Sequence, residues 1–152
     1  MHNDKTTSIT SVMTSLPIET GRQNDSVDSI LHTMKEKNKG CVVILDESGH
    51  PTGIITERDI VRRLVLANKD FTATLASEIM SSPLISANDD AYVYDAAVIM
   101  TKYGIRRLPI VKDNVLLGIV TVTDLARRMY EENKEDPCLY AIARSRFLGH
   151  NM

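Results

Sequence analysis

Two rhythms of apolar and polar positions follow each other along this chain, and the pair of rhythms occurs twice. Val27, Ile30, Leu31 and Met34 fall three or four places apart, the spacing of one helix face. Val93, Ala96, Ala97 and Met100 repeat it. A polar cluster, Gly21 to Asp25, precedes the first helix and offers Asp25 or Ser26 as N-cap. Gly40 and Gly104 follow the two helices as C-cap glycines. Nearly continuous apolar runs come next, Cys41 to Leu45 and Leu108 to Val111, as in strands buried on both faces. Turns at Glu47 to Pro51 and Lys112 to Asn114 lead to second strands, Thr52 to Ile55 and Leu116 to Val120. Each feeds another helix, from about Glu57 and from about Val122. Their apolar sets are Ile60, Val61, Leu64 and Val65, and Leu125, Ala126, Met129 and Tyr130.

The closest internal match is Gly53-Ile54-Ile55-Thr56-Glu57-Arg58-Asp59-Ile60 with Gly118-Ile119-Val120-Thr121-Val122-Thr123-Asp124-Leu125, and both copies run on into Arg-Arg. Upstream, Ile9 to Met13 and Pro17-Ile18-Glu19-Thr20 correspond to Ala76 to Met80 and Pro83-Leu84-Ile85-Ser86. A period of this size signals a duplicated structural unit. The unit reads strand–helix–strand–strand–helix. One copy has too small a core to stand alone. Two copies bury strand faces against each other with pseudo-twofold symmetry, which places related clefts between the halves, where ligand sites tend to sit. The expected fold is therefore α/β (α+β): two βαββα repeats packed through their sheets. The expected divisions are a tail at 1–8, repeats at 9–67 and 75–132, a linker at 68–74 and an extension at 133–152. That extension holds a short helical stretch at 139–148.

Composition narrows the classes. At 152 residues, 43% hydrophobic and 25% charged, the chain is an ordinary globular one. A net charge of -2 supplies no long-range field for nucleic acid. Trp is absent and Phe occurs twice, too few for a base-stacking platform. No apolar run approaches the roughly 18 residues of a membrane span, and Met1 to Ser8 lacks the apolar core of a signal peptide. Cys41 and Cys138 form no metal or redox spacing and read as reduced thiols of a cytoplasmic protein, Cys41 as a buried strand thiol. The four histidines are scattered, His50 in an exposed turn. Met34, Met100 and Met129 fall on apolar faces and read as core.

The repeat resembles the cystathionine-β-synthase (CBS) domain, and the tandem resembles a CBS pair, or Bateman module. The second copy carries the closer match: Ile79-Met80, Ala96 to Met100, Gly104-Ile105-Arg106-Arg107-Leu108-Pro109-Ile110-Val111, and Gly118 to Leu125. The first keeps Val12-Met13, Met34, Gly53 and Thr56 to Ile60, with Ile30 where the family usually has alanine and Val43 where it usually has proline. The resemblance covers about Ile9 to Met129. It implies regulatory binding of an adenosyl ligand, AMP, ADP, ATP or sometimes S-adenosylmethionine. It also implies frequent pairing of two chains into a disk of four repeats, and the expectation is a binding protein that requires no cofactor and is not an enzyme.

By that resemblance Asp59 and Asp124 hold ribose, and Thr56 and Thr121 meet ribose or phosphate. Adenine lies near Ile18, Glu19, Thr20, Val42 and Val43 in one site, and near Leu84, Ile85, Ser86, Arg107, Leu108 and Pro109 in the other. Chemically, a carboxylate opening a helix accepts from both ribose hydroxyls, first-turn N–H groups face phosphate, and glycine lets backbone approach a ligand. The same spacing is also a capping box, so Thr56 and Asp59 equally serve helix N–H donors. Arg58 or Arg106 reaches phosphate, since guanidinium binds it in bidentate fashion. Thr123 stands opposite Arg58, so the sites are not equivalent. Arg62, Arg63, Arg127 and Arg128 read as surface charges.

Three function classes follow. The first is a nucleotide-sensing regulatory module acting on an unknown downstream protein; a ligand does this only through different affinity for two states. The second is a scaffold binding nucleic acid or protein through Arg58, Arg62, Arg63, Arg127, Arg128, Arg144 and Arg146, recognisable by steep salt dependence, and disfavoured by the charge balance. The third is an enzyme. The Gly-x-x-x-x-Gly-Lys, Gly-x-Gly-x-x-Gly and His-Glu-x-x-His motifs are absent, and binding accounts for the aspartates.

Overall fold

The computed structural model describes residues 7–15 and 17–132, without the side chains of Met129, Tyr130 and Glu132. The extension at 133–152, with its expected helical stretch, Cys138, Arg144 and Arg146, lies outside the described residues. In chain order the elements are β1 (Thr14–Ser15), β2 (Thr20–Arg22), α1 (Val27–Lys37), β3 (Cys41–Leu45), β4 (Pro51–Thr56), α2 (Glu57–Asp59), α3 (Ala76–Ile79), α4 (Val93–Tyr103), β5 (Arg107–Lys112), β6 (Val115–Thr121) and α5 (Val122–Glu132). The result is a mixed α+β fold with two three-stranded sheets. Two compact units are present: Leu16–Ser86 with Val111–Leu117, and Met1–Ser15 with Ala87–Ile110 and Gly118–Met152.

In the first of these units β3 is the central strand, parallel to β2 and antiparallel to β4. Val42, Val43 and Ile44 are fully buried, because a central strand without polar positions has no face to give to water. Cys41, expected buried, is half-buried at the strand's end. Ser26 caps α1, its hydroxyl accepting from Ser29 N at 3.2 Å. The helix ends at Asn38 rather than Gly40: Asn38 takes the left-handed conformation, φ 50, which asparagine tolerates, and Lys39 N closes onto Met34 O at 2.9 Å. Val27, Ile30 and Met34 pack with Val42, Ile44, Ile55, Leu64, Ala76 and Ile79. Each fully buried aliphatic side chain contributes about 1.5–3 kcal/mol.

α2 continues as a π-helix over Ile60–Val65, with Leu66 N donating to Val61 O and Lys69 N to Leu64 O. Its covered face is narrow and centred on Leu64. Val61 and Val65, expected on the buried face, are 51% and 53% exposed, since they lie about a quarter turn round from Ile60 and Leu64.

In the other sheet β6 is central, between β1 and β5. Asp113 and Asn114, both at positive φ, make the two-residue hairpin turn between β5 and β6. α4 ends at Gly104, φ 62, as its position predicts. Val93, Ala96 and Met100 are buried, whereas Ala97, expected beside them, is exposed. The stretch expected as the leading strand of the second repeat forms only a parallel bridge, Ala87 to Ile110. A turn at Asn88 follows at once, with Ala91 N donating to its carbonyl.

β1 pairs antiparallel with β6, Thr14 opposite Ile119. At the matching place in the first unit, Ser81 bridges Ile54 antiparallel. Each sheet is thus extended by the opening segment of the other repeat, and compactness follows a different division from sequence repetition.

Candidate functional site

Both Thr-x-x-Asp motifs stand where a strand turns into a helix, β4 into α2 and β6 into α5. β6 is held by strands on both sides, and β4 by β3 on one side and the Ser81 bridge on the other, which positions the threonines that end them. Thr56 N and Oγ1 both donate to Asp59 Oδ2, at 2.9 and 3.0 Å. Thr121 N and Oγ1 donate to Asp124 Oδ2 at 2.8 and 2.9 Å, and Asp124 N donates back to Thr121 Oγ1 at 3.1 Å. The capping function is therefore realised in both turns. One carboxylate oxygen of each aspartate is committed to it. The other, Oδ1, carries whatever further chemistry the turn has.

The two Oδ1 atoms differ. Asp59 Oδ1 accepts from Ser81 Oγ at 2.8 Å and lies 3.9 Å from Arg63 Nε. Asp124 Oδ1 lies 3.6 Å from Arg127 Nη1, beyond ordinary hydrogen-bond reach. The aspartate side chains are 8% and 10% exposed, so a ligand hydroxyl reaching either oxygen meets a largely desolvated carboxylate.

The donors expected for phosphate are mostly spent within the chain. Glu57 N donates to Gly40 O at 3.3 Å and Val122 N to Arg106 O at 3.0 Å. Each threonine hydroxyl proton points to its aspartate, which leaves the oxygen able to accept but not to donate. That suits a ribose hydroxyl and not a phosphate oxygen. Exposed Arg58, on the first turn of α2, is the cation nearest in sequence that could serve an anion there.

The glycines ahead of the motifs also have a different office from the one expected. A Cβ on Gly53 would sit 2.7 Å from Met80 Sδ and 3.0 Å from Ser81 O; on Gly118 it would sit 2.7 Å from both Met13 Sδ and Thr14 O. The chain's own backbone fills the space that glycine opens. Arg63, expected as a surface charge, donates through Nη1 to Ile79 O at 3.2 Å and Met80 O at 2.7 Å, clamping the same segment. Arg128, expected likewise, is half-buried.

Of the remaining expected site residues, Ile18 is half-buried and Thr20 exposed, at the start of β2. Thr20 is the register partner of Val43, and Val43 N donates to Glu19 O at 3.1 Å. Val42 and Val43 are fully buried, and the Val42 side chain is spent in the apolar cluster. Those residues, with Thr56, Arg58 and Asp59, share one unit. Arg106 (exposed), Arg107 (half-buried), Leu108 and Pro109 (fully buried), Thr121 and Asp124 belong to the other, whereas Ile85 and Ser86, half-buried, fall in the first. Ser81 and Arg63 are the residues that sequence spacing misses; Ser81 follows Met80 as Thr14 follows Met13, and that parallel is its one sequence signal.

An open cavity of about 740 Å³ lies among Arg22, Gln23, Asn24, Asp25, Leu45, Asp46, Glu47 and Ser48. It contains none of the expected site residues, and its mixed charges converge on nothing: Arg22 Nη1 donates to Asp46 O, and Asp46 Oδ1 accepts from Ser48 N and His50 N. Among the described residues no cluster of His, Cys, Asp and Glu is arranged to hold a metal ion, and no helix is long and apolar enough to cross a membrane.

Known proteins resemble this chain over most of its length. The family model of the CBS domain matches residues 9–66 and 76–131. Protein MK0525 of Methanopyrus kandleri is 44% identical over 107 residues, 70% of this chain and 55% of that protein; the chain thus spans about half of that relative's length. The CBS domain-containing protein YhcV of Bacillus subtilis is 37% identical over 126 residues, 83% of this chain and 84% of that one. Among solved structures, the CBS domain pair of protein MJ0100, in complex with 5′-methylthioadenosine and S-adenosyl-L-methionine, matches with a TM-score of 0.73 at 31% identity, over 83% of this chain and 98% of that chain.

Proposed function

Because this chain belongs to the CBS-domain family and carries the domain twice, we propose that it is a regulatory module that binds an adenosyl ligand and relays the bound state to a partner protein. The observation that carries the reading is the duplicated turn in which a threonine engages Oδ2 of a nearly buried aspartate carboxylate and keeps Oδ1 out of the cap. A ribose diol is the ligand group that such an oxygen fits, as a neutral donor meeting a charged acceptor. The MJ0100 pair, with two adenosyl compounds bound, supports the choice of ligand class.

Asp59 with Thr56 in one turn, and Asp124 with Thr121 in the other, are the ribose contacts in this reading. Ile18 and Thr20 border the adenine of the first site, over the buried Val42 and Val43; Arg106 and Arg107, over the buried Leu108 and Pro109, serve the second. AMP, ADP and ATP are bound through the adenosine part, with Arg58 meeting phosphate at the first site. S-adenosylmethionine and 5′-methylthioadenosine need no phosphate contact, which matches turns whose N–H groups are already used. The module works by binding without turnover. It assembles as a homodimer, for which Tyr94 and Val98, one turn apart on α4 and each 47% exposed, supply apolar surface.

Thermal melting with AMP, ADP, ATP, S-adenosylmethionine and 5′-methylthioadenosine tests the reading, with GTP as control. A ligand at a hundred times its dissociation constant adds about 2.7 kcal/mol, a rise in Tm of roughly 5–10 °C for a chain of this size. A rise with adenosyl compounds and none with GTP is expected. No rise with any of them overturns it.

A further inference from the structure

We infer that Ser81 sets the two turns apart: its hydroxyl occupies the Asp59 oxygen that a ribose diol would take, so the Asp124 turn holds an adenosyl ligand more tightly than the Asp59 turn. The inference rests on the adenosyl-binding reading above and goes further, naming the residue that makes the sites unequal.

Asp59 has no idle oxygen. Oδ2 takes two donors from Thr56, and Oδ1 takes the Ser81 hydroxyl at 2.8 Å with Arg63 Nε at 3.9 Å. Ser81 is not there by chance of rotamer. Its backbone is pinned on both sides by Ile54, Ser81 N to Ile54 O at 2.9 Å and Ile54 N to Ser81 O at 3.1 Å. The two residues before it are clamped by Arg63 Nη1 through their carbonyls. Met80 lies against Gly53, where any Cβ would collide. The chain therefore delivers a hydroxyl to Asp59 as a ligand would.

The other turn has the same parts without that last contact. Thr14 occupies the place of Ser81, pairing with Ile119 as Ser81 pairs with Ile54, and Met13 lies against Gly118 as Met80 lies against Gly53. Yet among the described residues the polar group recorded at Asp124 Oδ1 is the Arg127 guanidinium at 3.6 Å, and no hydroxyl donates to it. A diol arriving at Asp124 gains hydrogen bonds to a charged acceptor. A diol arriving at Asp59 has to share Oδ1 with the Ser81 hydroxyl or turn that hydroxyl away, and so gains less. A hydrogen bond to a charged group corresponds to about a tenfold or larger change in affinity.

Titration calorimetry on the full chain tests this, with 5′-methylthioadenosine as the probe and 2′,3′-dideoxyadenosine as the ligand without a diol. Asp124→Ala leaves the first turn as the ribose site. Adding Ser81→Ala to it is expected to tighten 5′-methylthioadenosine binding about tenfold, with no gain for the dideoxy compound; Ser81→Cys, whose thiol is a weak donor, is expected to shift affinity the same way. A gain equal for both ligands, or no gain with either substitution, overturns the inference. If wild type binds the probe, Asp124→Ala weakens it and the Ser81 variants change nothing, the inference falls while the adenosyl reading stands. If neither wild type nor any variant binds an adenosyl ligand, both fall.

Discussion

Asp59 and Asp124 show how one residue type at one offset does two jobs. Each carboxylate first completes a helix cap and only then has an oxygen left. The caps predict unequal stability costs. Asp59→Ala strips a donor set that includes Thr56 N, the Ser81 hydroxyl and Arg63, and is expected to cost about 2 kcal/mol or more. Asp124→Ala loses the cap and the exposed Arg127 contact but no further hydroxyl, about 1 kcal/mol. Urea unfolding midpoints check the order, and equal midpoints would contradict it. Asp70 offers a pH test. The Thr72 hydroxyl, then the Ala73 and Thr72 N–H groups, hold its carboxyl below the usual carboxylate value, through bonds of 2.7 to 2.9 Å. A depressed pKa stabilises the fold above the unfolded value and stops doing so as pH falls through the folded one. The stability gap between wild type and Asp70→Ala is therefore expected to close on acidification, in thermal melts run at successively lower pH. The Thr-x-x-Asp pairs were legible in the sequence because cap and ribose contact need the same local spacing. Ser81 was not, because its partner lies across a bridge that no local pattern encodes.

At the scale of elements, periodicity located α1, α4 and the paired strands within a residue or two, since burial on one face or both imposes its rhythm directly. It failed where the covered face is narrow, at Val61, Val65 and Ala97, and where asparagine did a glycine's work at Asn38. The glycines invite a sharper test. At Gly118 an added Cβ meets backbone, Thr14 O at 2.7 Å, whereas at Gly53 the backbone atom is 3.0 Å away and the nearest contact is the flexible Met80 side chain. Gly118→Ala is therefore expected to destabilise more than Gly53→Ala, by about 1–3 kcal/mol against less. Differential scanning calorimetry reads the difference, and a reversed order would show that the two strand edges yield differently from their geometry.

For the whole molecule, the repeat announced a family and a fold, but not that each sheet takes its edge from the opening segment of the other repeat. Sequence repetition reports ancestry of a unit, while compactness reports which segments bury each other. Removing residues 1–15 is expected to speed hydrogen exchange at Gly118 and Ile119, which lose β1, while Val42 to Ile55 stays protected. Uniform loss of protection would refute separate edges.

The same exchange of edges sets an order of assembly. As the chain leaves the ribosome, Thr14 and Ser15 emerge about a hundred residues ahead of their partners Ile119 and Gly118. Ser81 meets Ile54 after far less synthesis. Such distant pairings form slowly and late. The Asp59 turn and its hydroxyl tenant are thus complete while β1 still waits for β6, and that unpaired strand of the nascent chain is a natural place for a chaperone or a second nascent copy to intervene.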